Sequence, residues 1–140
     1  MSTLLGAINA SASALDAQRA RMEVAVSNMA NAESTRSADG QPYRRREVVL
    51  ETTTTEAAPL NGFSANGVKV AAVLEDQTAF RRRYEPSHPD ADADGFVAVP
   101  NVDVPEEMVD MLGAARAYQA NLTAITLIRD TIQKALELAK

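Results

Sequence analysis

The sequence has no cysteine and no tryptophan, a single histidine, and only six aromatic residues in 140. Without thiols, disulfides and thiolate metal sites are excluded, while the compartment stays open, because a cysteine-free chain survives in either redox environment. A lone histidine with no cysteine or serine partner at a recognisable site leaves no nucleophile–base pair, so no catalysis and no cofactor are expected. No apolar run approaches the roughly 20 residues of a spanning helix, which argues against direct membrane insertion. The opening residues, Met1 to Asn9, lack both the basic leader and the apolar stretch of a cleaved signal peptide. Any export is therefore expected to proceed uncleaved. A net charge of −5 argues for solubility and against nucleic acid or acidic membrane as a partner.

Bulk is also scarce. Alanine supplies 26 of the apolar residues, which make up 46% of the chain. Alanine favours helix and close helix approach but buries little area. The larger side chains gather at the two ends, which predicts a thin core along helices. The reading is a mainly α chain: an N-terminal helix over 1–31, a β-rich or partly disordered middle over 32–102, and a C-terminal helix over 103–140.

In the first helix Met1, Ile8, Leu15, Met22 and Met29 recur every seven residues, with Leu5, Ala12 and Val26 as the companion row. That is a coiled-coil seam broken once, at Arg19. Ser2 stands where an N-cap is expected. In the second helix Asp103 and Glu106 occupy the N-cap and N3 positions of a capping box, with Pro105 in the first turn. The expected seam runs Met108, Met111, Ala115, Tyr118, Leu122, Ile125, Ile132, Leu136, Ala139, broken once at Arg129. Val109, Leu112, Leu127, Ile128 and Leu138 lie off it. One partner helix cannot cover all of these, and a surplus apolar stripe predicts self-association.

Between the helices, 46–53, 68–74, 79–84 and 96–99 are short β-prone runs. Asp39-Gly40 is a turn signal, and 59–62 and 85–89 read as loops. Asp90, Asp92, Asp94 and Gly95 fall on positions 1, 3, 5 and 6 of an EF-hand loop, so a small calcium-binding module centred on Asp90–Gly95 is the alternative reading. Position 12, however, is Asn101, and the upstream flank is not helical. The bland reading is an acidic turn whose aspartates bond their own backbone. Arg44–Arg46 and Arg81–Arg83, beside Tyr43 and Tyr84, hold 6 of the 11 arginines. A strand sends alternate side chains to opposite faces, so neither triplet makes one phosphate-gripping patch. Contacts between these arginines and the acids of 90–110 of adjacent copies are the favoured expectation.

An ordered set of motifs then carries a resemblance. Ser27-Asn28-Met-Ala-Asn31-Ala-Glu-Ser-Thr35 resembles the segment that ends the first helix in bacterial flagellar axial proteins. Asp39 to Arg45, His88 to Asp92, Gly95 to Val97, Pro100 to Val102, Glu106 to Asp110 and Arg116 to Asn121 follow in the order and spacing of the proximal rod proteins of the flagellar basal body. The match covers about residues 4 to 138, with Glu33-Ser34 where the motif commonly has Asn and Thr. The resemblance implies a rod subunit exported unfolded and uncleaved through the flagellar type III export apparatus. Its terminal helices would form the inner coiled-coil layer of a periplasm-spanning drive shaft that transmits torque. Implied partners are copies of the chain, other rod proteins, and basal-body ring and hook components. Assembly contacts are expected at Ile8, Leu15, Met22, Asn28, Met29, Asn31, Met108, Met111, Tyr118, Asn121, Leu122, Ile125, Ile132 and Leu136. The asparagines would bond backbone at helix ends or across neighbours.

Overall fold

A computed structural model describes residues 2–53 and 66–138. The expected loop at 59–62 and the seam positions Met1 and Ala139 lie outside these, as does the side chain of Ser2. The elements are α1 (Ser2–Ala30), β1 (Arg46–Thr53), β2 (Gly67–Glu75), β3 (Arg81–Tyr84), β4 (Phe96–Val99) and α2 (Val104–Leu138). β1 pairs with β2, and β3 with β4, in two separate two-stranded sheets.

The chain divides into two compact units. The first holds Met1–Ala20, Val49–Ala72 and Gly113–Lys140. Ala17 and Ala114 are buried there. Ser13, in the middle of α1, donates its hydroxyl to Ala10 O at 2.8 Å and accepts the Val68 N–H at 3.0 Å, which pins the start of β2 to the helix. Gly67 makes this approach possible: a Cβ there would stand 2.8 Å from Thr53 Oγ1 and 2.9 Å from Ser13 Oγ.

The second unit holds Arg21–Val48 and Val73–Leu112. Its core is Ala25, Tyr43, Val97, Val99 and Val102. β3 and β4 run antiparallel, with Arg81 opposite Val99, Arg82 opposite Ala98, Arg83 opposite Val97 and Tyr84 opposite Phe96. Val97 and Val99 face inward, while Phe96 and Ala98 face out. The connection turns at Gly95, whose φ of 82° lies in the left-handed region. α2 starts as expected, with the Glu106 N–H bonded to Asp103 Oδ1 at 3.4 Å.

Both helices differ from expectation in the phase of their buried face. In α2 the covered row Glu107, Met111, Ala114, Tyr118, Asn121, Ile125, Ile128 and Ile132 alternates by four and three without a break, with Asp110, Ala115, Ala117 and Ala124 half-buried beside it. Met108, Leu122 and Leu136, expected on the seam as assembly contacts, are exposed within the chain. In α1 the covered row is Leu4, Ser11, Gln18 and Ala25, in place of Leu5, Ala12, Arg19 and Val26, all exposed. One row slips by a single residue in each helix, and the breaks at Arg19 and Arg129 vanish. Hydrophobicity alone does not select the row that the chain itself covers, because Glu107 and Asn121 lie on the covered face and carry hydrogen bonds there.

Candidate functional site

The second unit is organised around one buried polar cluster. Asn28, in the last turn of α1, is 1% exposed, and Glu107, in the first turn of α2, is 2% exposed. The Asn28 amide nitrogen donates to Arg46 O at 2.8 Å and to Glu107 Oε2 at 2.9 Å. Its oxygen accepts the Arg46 N–H and the Tyr43 hydroxyl, both at 2.9 Å. The carboxamide thus bonds both backbone groups of Arg46, as a neighbouring strand would, and fixes where β1 begins. Tyr43 is carried to this point by the turn around Gly40 and by its own N–H bonding Ser34 O at 3.0 Å.

The other oxygen of Glu107 accepts from Arg45 Nε at 2.5 Å, and Arg45 also reaches Asp110 at 3.5 Å and Asp76 at 3.9 Å. Burial works against the Arg45 charge, but the hydrogen bond and charge of Glu107 outweigh it and hold its pKa above the usual value. The Arg45 N–H bonds Asn101 Oδ1 at 2.9 Å, and Asn101 in turn donates to Thr78 Oγ1 at 2.8 Å. Among the described residues no buried side-chain nitrogen or oxygen lacks a partner. Removing one member of such a buried set costs about 3–5 kcal/mol, because it strands the others. These bonds all join groups of the same chain, so the cluster clamps three segments together.

Of the residues expected to make assembly contacts, only Asn28 belongs to this cluster. Asn31 donates to Ser27 O at 2.9 Å and closes its own helix, and Asn121 donates to Ala117 O at 2.8 Å. Ile8, Leu15, Met22, Met29, Met111, Tyr118, Ile125 and Ile132 are half-buried along the two helices. Tyr43 and Arg45 were named only as part of an arginine run beside a tyrosine, and Glu107 only among the acids of 90–110; their joining in one buried cluster was not foreseen. The available signal was an acid at a position whose four-three neighbours, Met111 and Ala114, are apolar.

The acidic turn is used differently from a calcium loop. Asp92 accepts the N–H groups of Asp94 at 3.0 Å and Phe96 at 2.8 Å, and Arg82 at 2.6 Å. The Phe96 amide above all, helped by Arg82, holds the Asp92 carboxyl below its ordinary pKa. Asp90 turns away to the Thr35 hydroxyl at 2.9 Å and to Arg36 at 2.7 Å. Among the described residues no group of three or more His, Asp or Glu side chains could hold an ion. The arginine triplets are split too, and their members have partners inside the chain. Arg44 lies 4.3 Å from the Phe80 ring centroid, Arg82 lies over Phe96, and Arg83 pairs with Glu33 at 2.8 Å. Among the described residues no helix is long and apolar enough to cross a membrane.

Comparison with known proteins places this geometry. Residues 93–138 match the family model described as flagellar basal body rod FlgEFG protein C-terminal. Over 137 residues the chain is 45% identical to the flagellar basal-body rod protein FlgC of Salmonella typhimurium, covering 98% of each. It is 42% identical to that of Bacillus subtilis, with 99% of each covered, and 37% identical to that of Borreliella burgdorferi, with 95% of each covered.

Proposed function

The chain belongs to the family of the flagellar basal-body rod protein FlgC, and on that premise we propose that it polymerises through its terminal helices into the torque-bearing shaft. It is a structural subunit of the basal-body rod and not an enzyme, and it associates with other rod and basal-body components. In the proposed assembly α1 and α2 pack as coiled coils against copies of the chain and other rod proteins, as an inner layer. Ring and hook components complete its surroundings, and it reaches the periplasm through the flagellar type III export apparatus without cleavage.

One observation carries this reading: α2 keeps large apolar side chains on faces that its own chain does not cover. Met108, Leu112, Leu122 and Leu136 are each about half exposed. Val109 and Leu127 are more exposed still, and they stand 18 residues apart, five whole turns of 3.6, on one line of the helix. A shaft loaded in torsion needs many repeated contacts, and such rows supply them. The test is complementation of a motile strain lacking its own copy. Val109→Asp with Leu127→Asp should leave the far-ultraviolet circular dichroism unchanged, since neither side chain is packed. Motility and electron-microscopic rods should both be lost. Normal swimming with intact rods from this double variant would sink the proposal.

A further inference from the structure

The second unit also contains a cleft that the buried cluster does not use. Its volume is about 460 Å³, within the range of pockets that bury a ligand or several side chains. Val99, Pro100, Val102, Val104 and Pro105 give it apolar walls, and Arg81–Arg83 line one side. Two of these arginines are already neutralised. Arg82 pairs with Asp92 at 2.6 Å, and Arg83 with Glu33 at 2.8 Å and Glu85 at 2.9 Å. Among the described residues Arg81 has only a neutral acceptor, donating from Nη1 to Val102 O at 3.0 Å. The remaining acid of the wall, Asp103, caps α2. A guanidinium carries five N–H donors, so most of those on Arg81 stay available to a carboxylate.

We propose that this cleft receives the last turn of α2 from a second copy of the chain, with Glu137 of that copy paired to Arg81. The inference rests on the rod reading above and names one contact within it. Three features of the last turn fit the cleft. Glu137 is exposed and stands between Leu136 and Leu138, and Leu138 is 89% exposed, the highest among the large exposed apolar residues. A carboxylate flanked by two leucines matches an arginine flanked by valine and proline walls. The unpaired carbonyls of a helix C-terminus carry partial negative charge, which the arginine side of the cleft also favours. In a chain of net charge −5, a site with an unneutralised cation selects an acidic segment over the rest of a like surface. Cleft and last turn are different patches, so the contact is head-to-tail, and each copy added offers a fresh cleft and a fresh last turn to the next.

The experiment uses the full chain with Arg81→Glu, Glu137→Arg and both together. All alter exposed positions, and circular dichroism checks that the fold is kept. By sedimentation equilibrium each single reversal should weaken self-association by about tenfold, the scale of a close interfacial charge pair. The double reversal should restore it to within about threefold of the parent. Unchanged single variants, or a double variant weaker than either single one, overturn the contact. A second readout exploits the absence of cysteine: Val104→Cys combined with Leu138→Cys places thiols at opposite ends of one helix, which cannot join within a chain. Assembled rods carrying both should yield disulfide-linked multimers on mild oxidation. Rods that assemble without such linkage refute the cleft contact and leave the rod reading standing. A parent chain that enters no rod at all would remove both.

Discussion

At the scale of single residues, Asn28 uses every bond its carboxamide has: two donated and two accepted. Its removal strands a buried carboxylate oxygen and a backbone N–H and C=O at once. Asn28→Ala should therefore lower stability by about 3 kcal/mol, the cost of several buried polar groups left unpaired. Asn28→Asp should cost more, because it sets a second carboxylate against Glu107. Urea unfolding followed by circular dichroism measures both, and a change below about 0.5 kcal/mol for Asn28→Ala would show that the cluster is no clamp. Asn28 was legible in the sequence as a polar residue of the motif that ends the first helix. Glu107 was not, because an acid in a first helical turn already has a sufficient reason in the helix dipole. Arg45 was hidden in the same way, inside a triplet whose members go to different partners.

At the scale of elements, helix limits and strands were legible because local chemistry sets them. The Asp103 cap and Pro105 start α2, and β1 and β4 occupy the β-prone runs expected for them. β3 begins two residues later than expected, at Arg81, because Asp76 Oδ1 takes the Thr78 N–H at 2.8 Å and holds a turn just before it. The phase of the helices was not legible. Choosing between two adjacent rows requires knowing that Glu107, Asn121 and Asn28 find partners inside, and those lie far away in sequence or in the backbone. The phase of the covered row has a measurable result along α2. From Glu107 to Ile128 covered positions recur every turn, but among the described residues from Arg129 to Leu138 only Ile132 is covered. Amide exchange of the monomer should therefore be slow through Ile125 and faster by at least about tenfold beyond Arg129, since local opening there breaks few contacts. Uniform protection to Leu138 in a verified monomer would contradict this.

At the scale of the whole chain, two kinds of surface are available to neighbours, and salt separates them. Apolar rows on α2 hold in concentrated salt, whereas a charge pair is screened once the Debye length falls to about 3 Å near 1 M. Self-association measured by sedimentation velocity should thus persist at 1 M sodium chloride, while the difference between the parent and Arg81→Glu should shrink severalfold. Loss of all association at high salt would assign it to charge instead. The exposed leucines of α2 also act as a ruler. Leu122 and Leu136 are two heptads apart, about 21 Å along an ideal helix. Whatever covers both must be that long, so a tight loop is excluded by reach alone. A neighbouring helix of about four turns qualifies, as does an extended strand of six or seven residues.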